Sequence, residues 1–162
     1  FGDCLYDSEV PASRQIMETF EKYGDPVIGL SRVPKEEISK FGIIEGVQLD
    51  EMSYEIKRMI EKPKEGETNS TLAAVGKYVI TPEVFEILSG IKNGKSGEIR
   101  LADAFEIMLE TGRPLYGREL EGEWLDTGDK FNFLKASIKI GLKHSEVGDK
   151  LKKFLREVVV GI

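Results

Sequence analysis

Three short segments carry polar residues where a packed strand or an ordinary tight turn would not select them: Gly2-Asp3, Glu61-Lys62-Pro63 and Trp124-Leu125-Asp126-Thr127-Gly128-Asp129. Two carboxylates from distant turns can share a hard cation like Mg2+, which takes oxygen ligands and keeps water and substrate phosphate as the remainder of its octahedron. An adjacent Glu-Lys pair can divide labour at one ligand, the Glu61 carboxylate accepting sugar hydroxyl hydrogens and the Lys62 ammonium meeting a phosphate. The chemistry read from these residues is that of a phosphorylated sugar with a metal. Plainer readings stand beside it: Asp126 as a turn or capping aspartate, Glu61-Lys62 as an exposed strand end.

Other motifs do not survive inspection. Gly94-Lys95-Ser96 imitates the end of a phosphate-binding loop, but Ser89 occupies the position where that motif needs its first glycine. The G-x-G-x-x-G dinucleotide fingerprint is missing. Asn69-Ser70-Thr71 has the form of a glycosylation sequon and is read as idle without a secretion signal. The single histidine, His144, follows a lysine-rich helix and reads as a surface or C-capping residue. Cys4 reads as a small buried filler before a nucleophile.

The elements that must position these residues fit in one domain of 162 residues, with 40% apolar and 32% charged side chains. A net charge of −6, with scattered basic residues, argues against nucleic acid and against an anionic membrane surface. No stretch approaches the roughly 20 apolar residues of a membrane span. One cysteine excludes an intrachain disulfide framework, and the expected compartment is a reducing cytoplasm. The chain begins at Phe1 and meets the Gly2-Asp3 turn almost at once, so further sequence upstream is expected.

Pro11, the spacing of Ile16, Met17, Phe20 and Tyr23, and Gly24 predict a helix over about 11–23. Residues 26–33 read as a buried strand, and 41–49 with 54–61 as a β-hairpin around a polar turn. Residues 63–71 read as a solvated loop without enough apolar mass to pack, and 72–80 as a strand covered on both faces. Thr81 as N-cap and Pro82 in the first turn predict a helix to about 88. Leu101, Ala104, Phe105, Met108 and Leu109 form the stripe of a helix laid on a sheet; 113–120 reads as a strand. Two amphipathic helices follow at about 129–160, with Asp129 as an N-cap. Together these give a layered α/β protein with a mixed sheet flanked by helices.

Phe41-Gly42-Ile43, Ile60-Glu61-Lys62-Pro63, Val75-Gly76-Lys77-Tyr78-Val79, Gly97-Glu98-Ile99-Arg100-Leu101-Ala102-Asp103-Ala104 and Leu125-Asp126-Thr127-Gly128-Asp129-Lys130 occur in this order. The ordered set resembles sugar-1-phosphate nucleotidyltransferases, in particular the bacterial type of glucose-1-phosphate uridylyltransferase, from residue 1 to about 155. The resemblance implies a Rossmann-like nucleotide-diphospho-sugar transferase fold and transfer of a uridylyl group from UTP to glucose 1-phosphate. It implies Mg2+ held by Asp3 and Asp126, with Lys62 on the sugar phosphate as a third catalytic residue. Glu61 would grip glucose hydroxyls while the Gly42 and Gly76 backbones close on the sugar. Glu98 and Asp103 would support the sugar pocket or, equally, cap the helix after them. Tyr78 and Trp124 are assigned to core packing before ligand stacking.

The sequence departs from that family at Cys4, where another acidic or amide residue is usual, and in lacking the glycine-rich, arginine-bearing loop that opens the nucleotide half. The chain therefore reads as the C-terminal, sugar-binding portion, trimmed or separately encoded, without free activity of its own. Homo-oligomerisation through the last two helices is expected. The alternatives are thymidylyl or other nucleotidyl transfer, and a non-catalytic sugar-phosphate-binding or assembly module.

Overall fold

The computed structural model describes residues 2–92 and 97–160. In chain order the elements are β1 (Cys4–Asp7), α1 (Ala12–Tyr23), β2 (Val27–Arg32), a 3-10 helix (Lys35–Lys40), β3 (Gly42–Gln48), β4 (Ser53–Glu61) and β5 (Leu72–Val79). There follow α2 (Pro82–Gly90), α3 (Leu101–Glu110), β6 (Tyr116–Glu119), β7 (Glu123–Asp126), α4 (Lys130–Lys143) and α5 (Gly148–Val160). The Gly94-Lys95-Ser96 turn lies outside the described residues. Where the sequence reads as one domain, the chain groups into two compact units, residues 8–121 and residues 1–7 with 122–162.

The larger unit, 8–121, contains a mixed sheet in the order β2-β5-β3-β4-β6, closed by the parallel pairing of β2 with β6. The other pairings are antiparallel, and the β3–β4 hairpin runs from Gly42↔Glu61 to Gln48↔Tyr54. Ile28, Leu30, Ile44 and Ile56 of the strands form one buried cluster with Val84, Phe105 and Met108 of α2 and α3. Burying each such side chain is worth about 1.5–3 kcal/mol, which is what holds the helices on the sheet. The first helix follows the sequence reading closely: Pro11 precedes it, and Gly24, at φ 80°, ends it with its N–H on the Phe20 carbonyl.

Two local expectations need correction. Thr81 makes no side-chain cap, and its Oγ1 is buried with no hydrogen-bond partner among the described residues; Pro82 at the first turn is what starts α2. The 63–71 segment is also pinned, by polar groups instead of apolar mass. Buried Thr68 donates its hydroxyl to Glu45 Oε1 at 2.6 Å, and Ser70 donates to the Ile44 carbonyl at 2.6 Å.

In the smaller unit β1 and β7 form an antiparallel ribbon, with Cys4 opposite Asp126 and Tyr6 opposite Trp124. Gly2-Asp3 thus directly precedes a strand. Strand β7 itself lies in a stretch read as loop, because four residues are too few to display a period of two. A two-stranded ribbon is marginal alone. Helix α4 supports it through two ion pairs, Lys139 with Glu123 and Lys143 with Asp7. Asp129 caps α4, its Oδ1 accepting from the N–H groups of Phe131 and Asn132. His144 stands exposed at the C-cap of α4, as its lysine-rich context suggests.

Candidate functional site

The ribbon register brings two acids together. Because Cys4 faces Asp126, the residues just before β1 and just after β7 are neighbours: Thr127 donates to the Asp3 carbonyl from its N–H at 2.8 Å and from its hydroxyl at 2.9 Å. Asp126 Oδ1 accepts the Gly128 N–H at 3.0 Å. A Cβ built on Gly128 would lie 3.2 Å from Asp126 Oδ1 and 3.7 Å from Asp3 Oδ2, so both carboxylates flank this bare glycine. Cys4 Sγ lies 3.6 Å from the other Asp3 oxygen.

Among the described residues no three His, Cys, Asp or Glu side chains group to hold a metal. Two oxygen donors without a protein cage suit Mg2+, which leaves most of its octahedron to water and phosphate, and do not suit a closed structural zinc site. Next to this pair a hollow of about 440 Å³ is lined by Thr127, Gly128, Asp129, Lys130, Phe133 and Leu134.

In the larger unit a second group forms at the open end of the β3–β4 hairpin. Glu61 is paired with Gly42, and a Cβ on Gly42 would meet Glu61 Oε2 at 3.1 Å; the carboxylate therefore lies over a backbone that only glycine leaves uncovered. Lys62 follows in the left-handed region at φ 49°, the one non-glycine residue with positive φ among the described residues, and its N–H donates to the Phe41 carbonyl at 3.0 Å. Such a backbone is costly and is tolerated where the surroundings fix it, here by that hydrogen bond and by the buried Pro63. Glu61 and Lys62 are both exposed. Pro63 also lines a 660 Å³ cavity between the 3-10 helix and the 63–69 loop.

Gly76 sits on β5, buried, at φ 65°. Glu98 is exposed, two residues before the Arg100 N-cap of α3, and shares no hydrogen bond with Glu61 or Lys62. Asp103 acts as a helix cap: its Oδ2 accepts the Arg100 N–H at 2.8 Å and its Oδ1 the guanidinium at 3.3 Å. Asp3 and Asp126 thus belong to one unit, and Gly42, Glu61, Lys62, Gly76 and Glu98 to the other. Sequence reasoning overlooked Thr127 as the latch on Asp3 and Gly128 as the gap between the acids; a Thr-Gly pair directly after a candidate metal ligand is the signal that could have exposed both.

The mixed α/β fold and this motif set define a nucleotidyl transferase: the chain belongs to that family, whose model matches residues 2–142. Within it, the chain is 39% identical over 157 residues to a UTP–glucose-1-phosphate uridylyltransferase of Staphylococcus haemolyticus, covering 97% of this chain and 54% of the relative. A protein of the same name from Staphylococcus epidermidis is 36% identical with the same coverage. Among solved structures, UDP-glucose pyrophosphorylase complexed with UDP-glucose matches with TM-score 0.81 and 34% identity, over 89% of this chain and 55% of that one. The UTP-bound UGPase of Acinetobacter baumannii matches at TM-score 0.82 and 26% identity, over 96% of this chain and 54% of that one. The chain spans about half the length of the curated relatives it matches.

Proposed function

We propose that this chain carries the sugar-phosphate and metal contacts of a UTP–glucose-1-phosphate uridylyltransferase. The observation that carries the reading is the pairing of Asp3 and Asp126 across the bare Gly128. The names of the relatives and the UDP-glucose and UTP complexes among the neighbours supply the substrates.

In the reaction a phosphate oxygen of glucose 1-phosphate attacks the α-phosphorus of UTP, the bond from that phosphorus to the bridging β-phosphate oxygen breaks, and UDP-glucose and pyrophosphate result. This chemistry asks the protein mainly for position and charge neutralisation. Lys62 holds the sugar phosphate as a point charge, and its fixed backbone aims it. Glu61 accepts hydrogens from glucose hydroxyls, while Gly42 and Gly76 let the sugar approach the backbone. Glu98 borders the sugar pocket. Asp3 and Asp126 hold Mg2+, which when bound neutralises charge on the phosphates.

The protein so read works in the cytoplasm as a homo-oligomer. Exposed apolar residues on the last two helices, Phe131, Leu134 and Phe154 among them, support the association, and a single free cysteine supports the compartment. Among the described residues no helix is long and apolar enough to cross a membrane. The test is pyrophosphate release from UTP and glucose 1-phosphate with Mg2+, using this chain joined to a nucleotide-binding half. Release that requires both substrates is the expected result; a folded protein that releases none refutes the reading.

A further inference from the structure

Two side-chain hydroxyls stand in for a strand ladder between β3 and β5. In the sheet β3 lies between β5 and β4; it pairs with β4 from Gly42 to Gln48, but with β5 at one position among the described residues, Ile43↔Ala73. Past Ile43 the buried backbone of β3 needs other partners on that side. The segment leading into β5 supplies them. Ser70 donates its hydroxyl to the Ile44 carbonyl at 2.6 Å and accepts the Leu72 N–H at 3.2 Å. Thr68 donates to Glu45 Oε1 at 2.6 Å and accepts the Ser70 N–H at 3.0 Å. Alternate residues 68, 70 and 72 are thus engaged in turn, with the period of a strand.

The chemistry requires hydroxyls. A serine or threonine oxygen accepts and donates at one atom, on a side chain short enough for this place. Such residues commonly close a local turn by taking the N–H two residues on; here each also hands its own hydrogen to β3. Alanine or valine loses both bonds together. Glu45 keeps Arg58 at 3.5 Å when Thr68 is lost, so the heavier loss falls at Ser70, whose hydroxyl joins two backbone groups.

We propose that Ser70, backed by Thr68, is a positioning residue for the sugar: its hydroxyl closes the seam between β3 and β5 and so sets Gly42, just before Ile43, against Gly76, three residues after Ala73. This rests on the reading above, in which both glycine backbones close on glucose. All of these residues belong to the larger unit. Opening the seam withdraws one backbone from the sugar, and misplacement of that kind weakens glucose 1-phosphate without touching UTP.

Amide hydrogen exchange on the 162-residue chain tests the seam, with Ser70→Ala, Thr68→Val and the conservative Ser70→Thr. Exchange is expected to quicken about tenfold or more at Leu72 in Ser70→Ala and at Ser70 in Thr68→Val, while the later β5 amides keep their protection, as local opening requires. In the active uridylyltransferase, Ser70→Ala is expected to raise KM for glucose 1-phosphate about tenfold with KM for UTP nearly unchanged, and Ser70→Thr to restore it. Unchanged exchange at Leu72 overturns the seam. Faster exchange throughout β5 shows general loosening and overturns the positioning role, as does an unaltered KM for glucose 1-phosphate or an equal rise for both substrates. Should the unsubstituted protein release no pyrophosphate, the function proposed above fails, and exchange at Leu72 still decides the seam.

Discussion

Thr127 ties down Asp3 twice, its N–H and its hydroxyl both donating to the Asp3 carbonyl, at 2.8 and 2.9 Å. The two hydrogen bonds occupy the backbone of Asp3 and leave its carboxylate for another partner. Since Asp126 immediately precedes Thr127, the same latch sets the spacing of the two acids.

Gly128 provides a test of that spacing. A methyl group there would stand 3.2 Å from Asp126 Oδ1 and 3.7 Å from Asp3 Oδ2, close enough to push the first carboxylate by a few tenths of an ångström. Its backbone is not in the left-handed region, so alanine adds no conformational strain. Gly128→Ala is expected to raise the Mg2+ concentration for half-maximal turnover about tenfold, the scale of changes that disturb ligand orientation. Thermal unfolding should move little. A metal titration of turnover, run beside a melting curve, checks both.

Lys62 separates stability from function. Its φ of 49° costs about 1–2 kcal/mol in any residue with a Cβ. Lys62→Gly should therefore be more stable than Lys62→Met by about 1 kcal/mol in urea unfolding. Both should raise KM for glucose 1-phosphate, because both lose the ammonium. A glycine variant less stable than the methionine one would contradict the strain.

Asp50 should make the larger unit sensitive to acid. The Lys22 ammonium at 2.8 Å, helped by the N–H groups of Met52 and Ser53, holds its carboxyl well below the usual carboxylate range, against the opposing effect of burial. A lowered folded-state pKa contributes stability that is present above the unfolded value, near 3.8, and is lost as pH falls through the folded value. Asp50→Asn is thus expected to be less stable than the parent at pH 7, with the gap narrowing steadily below about pH 4. Denaturant midpoints measured from pH 7 to pH 2 give the comparison; a gap that stays constant would exclude the ion pair as its source.

Long elements with strong end signals were readable from sequence. Helix α1 lies between Pro11 and Gly24, the β3–β4 hairpin follows from two runs around Asp50, and β5 is a nearly unbroken apolar run. The Gly42–Glu61 pairing follows from that hairpin. What escaped was set by distant partners. Strands β1 and β7 have four residues each and exist because they pair with one another across most of the chain. Closure of the five-stranded sheet depends on β2 meeting β6, and the 63–71 loop is ordered by Thr68 and Ser70 reaching β3. The neighbourhood of Asp3 and Asp126 was accordingly legible only through the family resemblance, since nothing local to either residue announces the ribbon.

The shared divalent ion is tested most directly by Asp126→Asn. Asparagine keeps an oxygen for the Gly128 N–H and leaves the Thr127 latch intact, so the turn should hold its shape. Mg2+-dependent pyrophosphate release is expected to fall at least about a hundredfold with an unchanged melting temperature. Release at the parent rate, with the same Mg2+ dependence, would contradict the assignment of Asp3 and Asp126 to the metal.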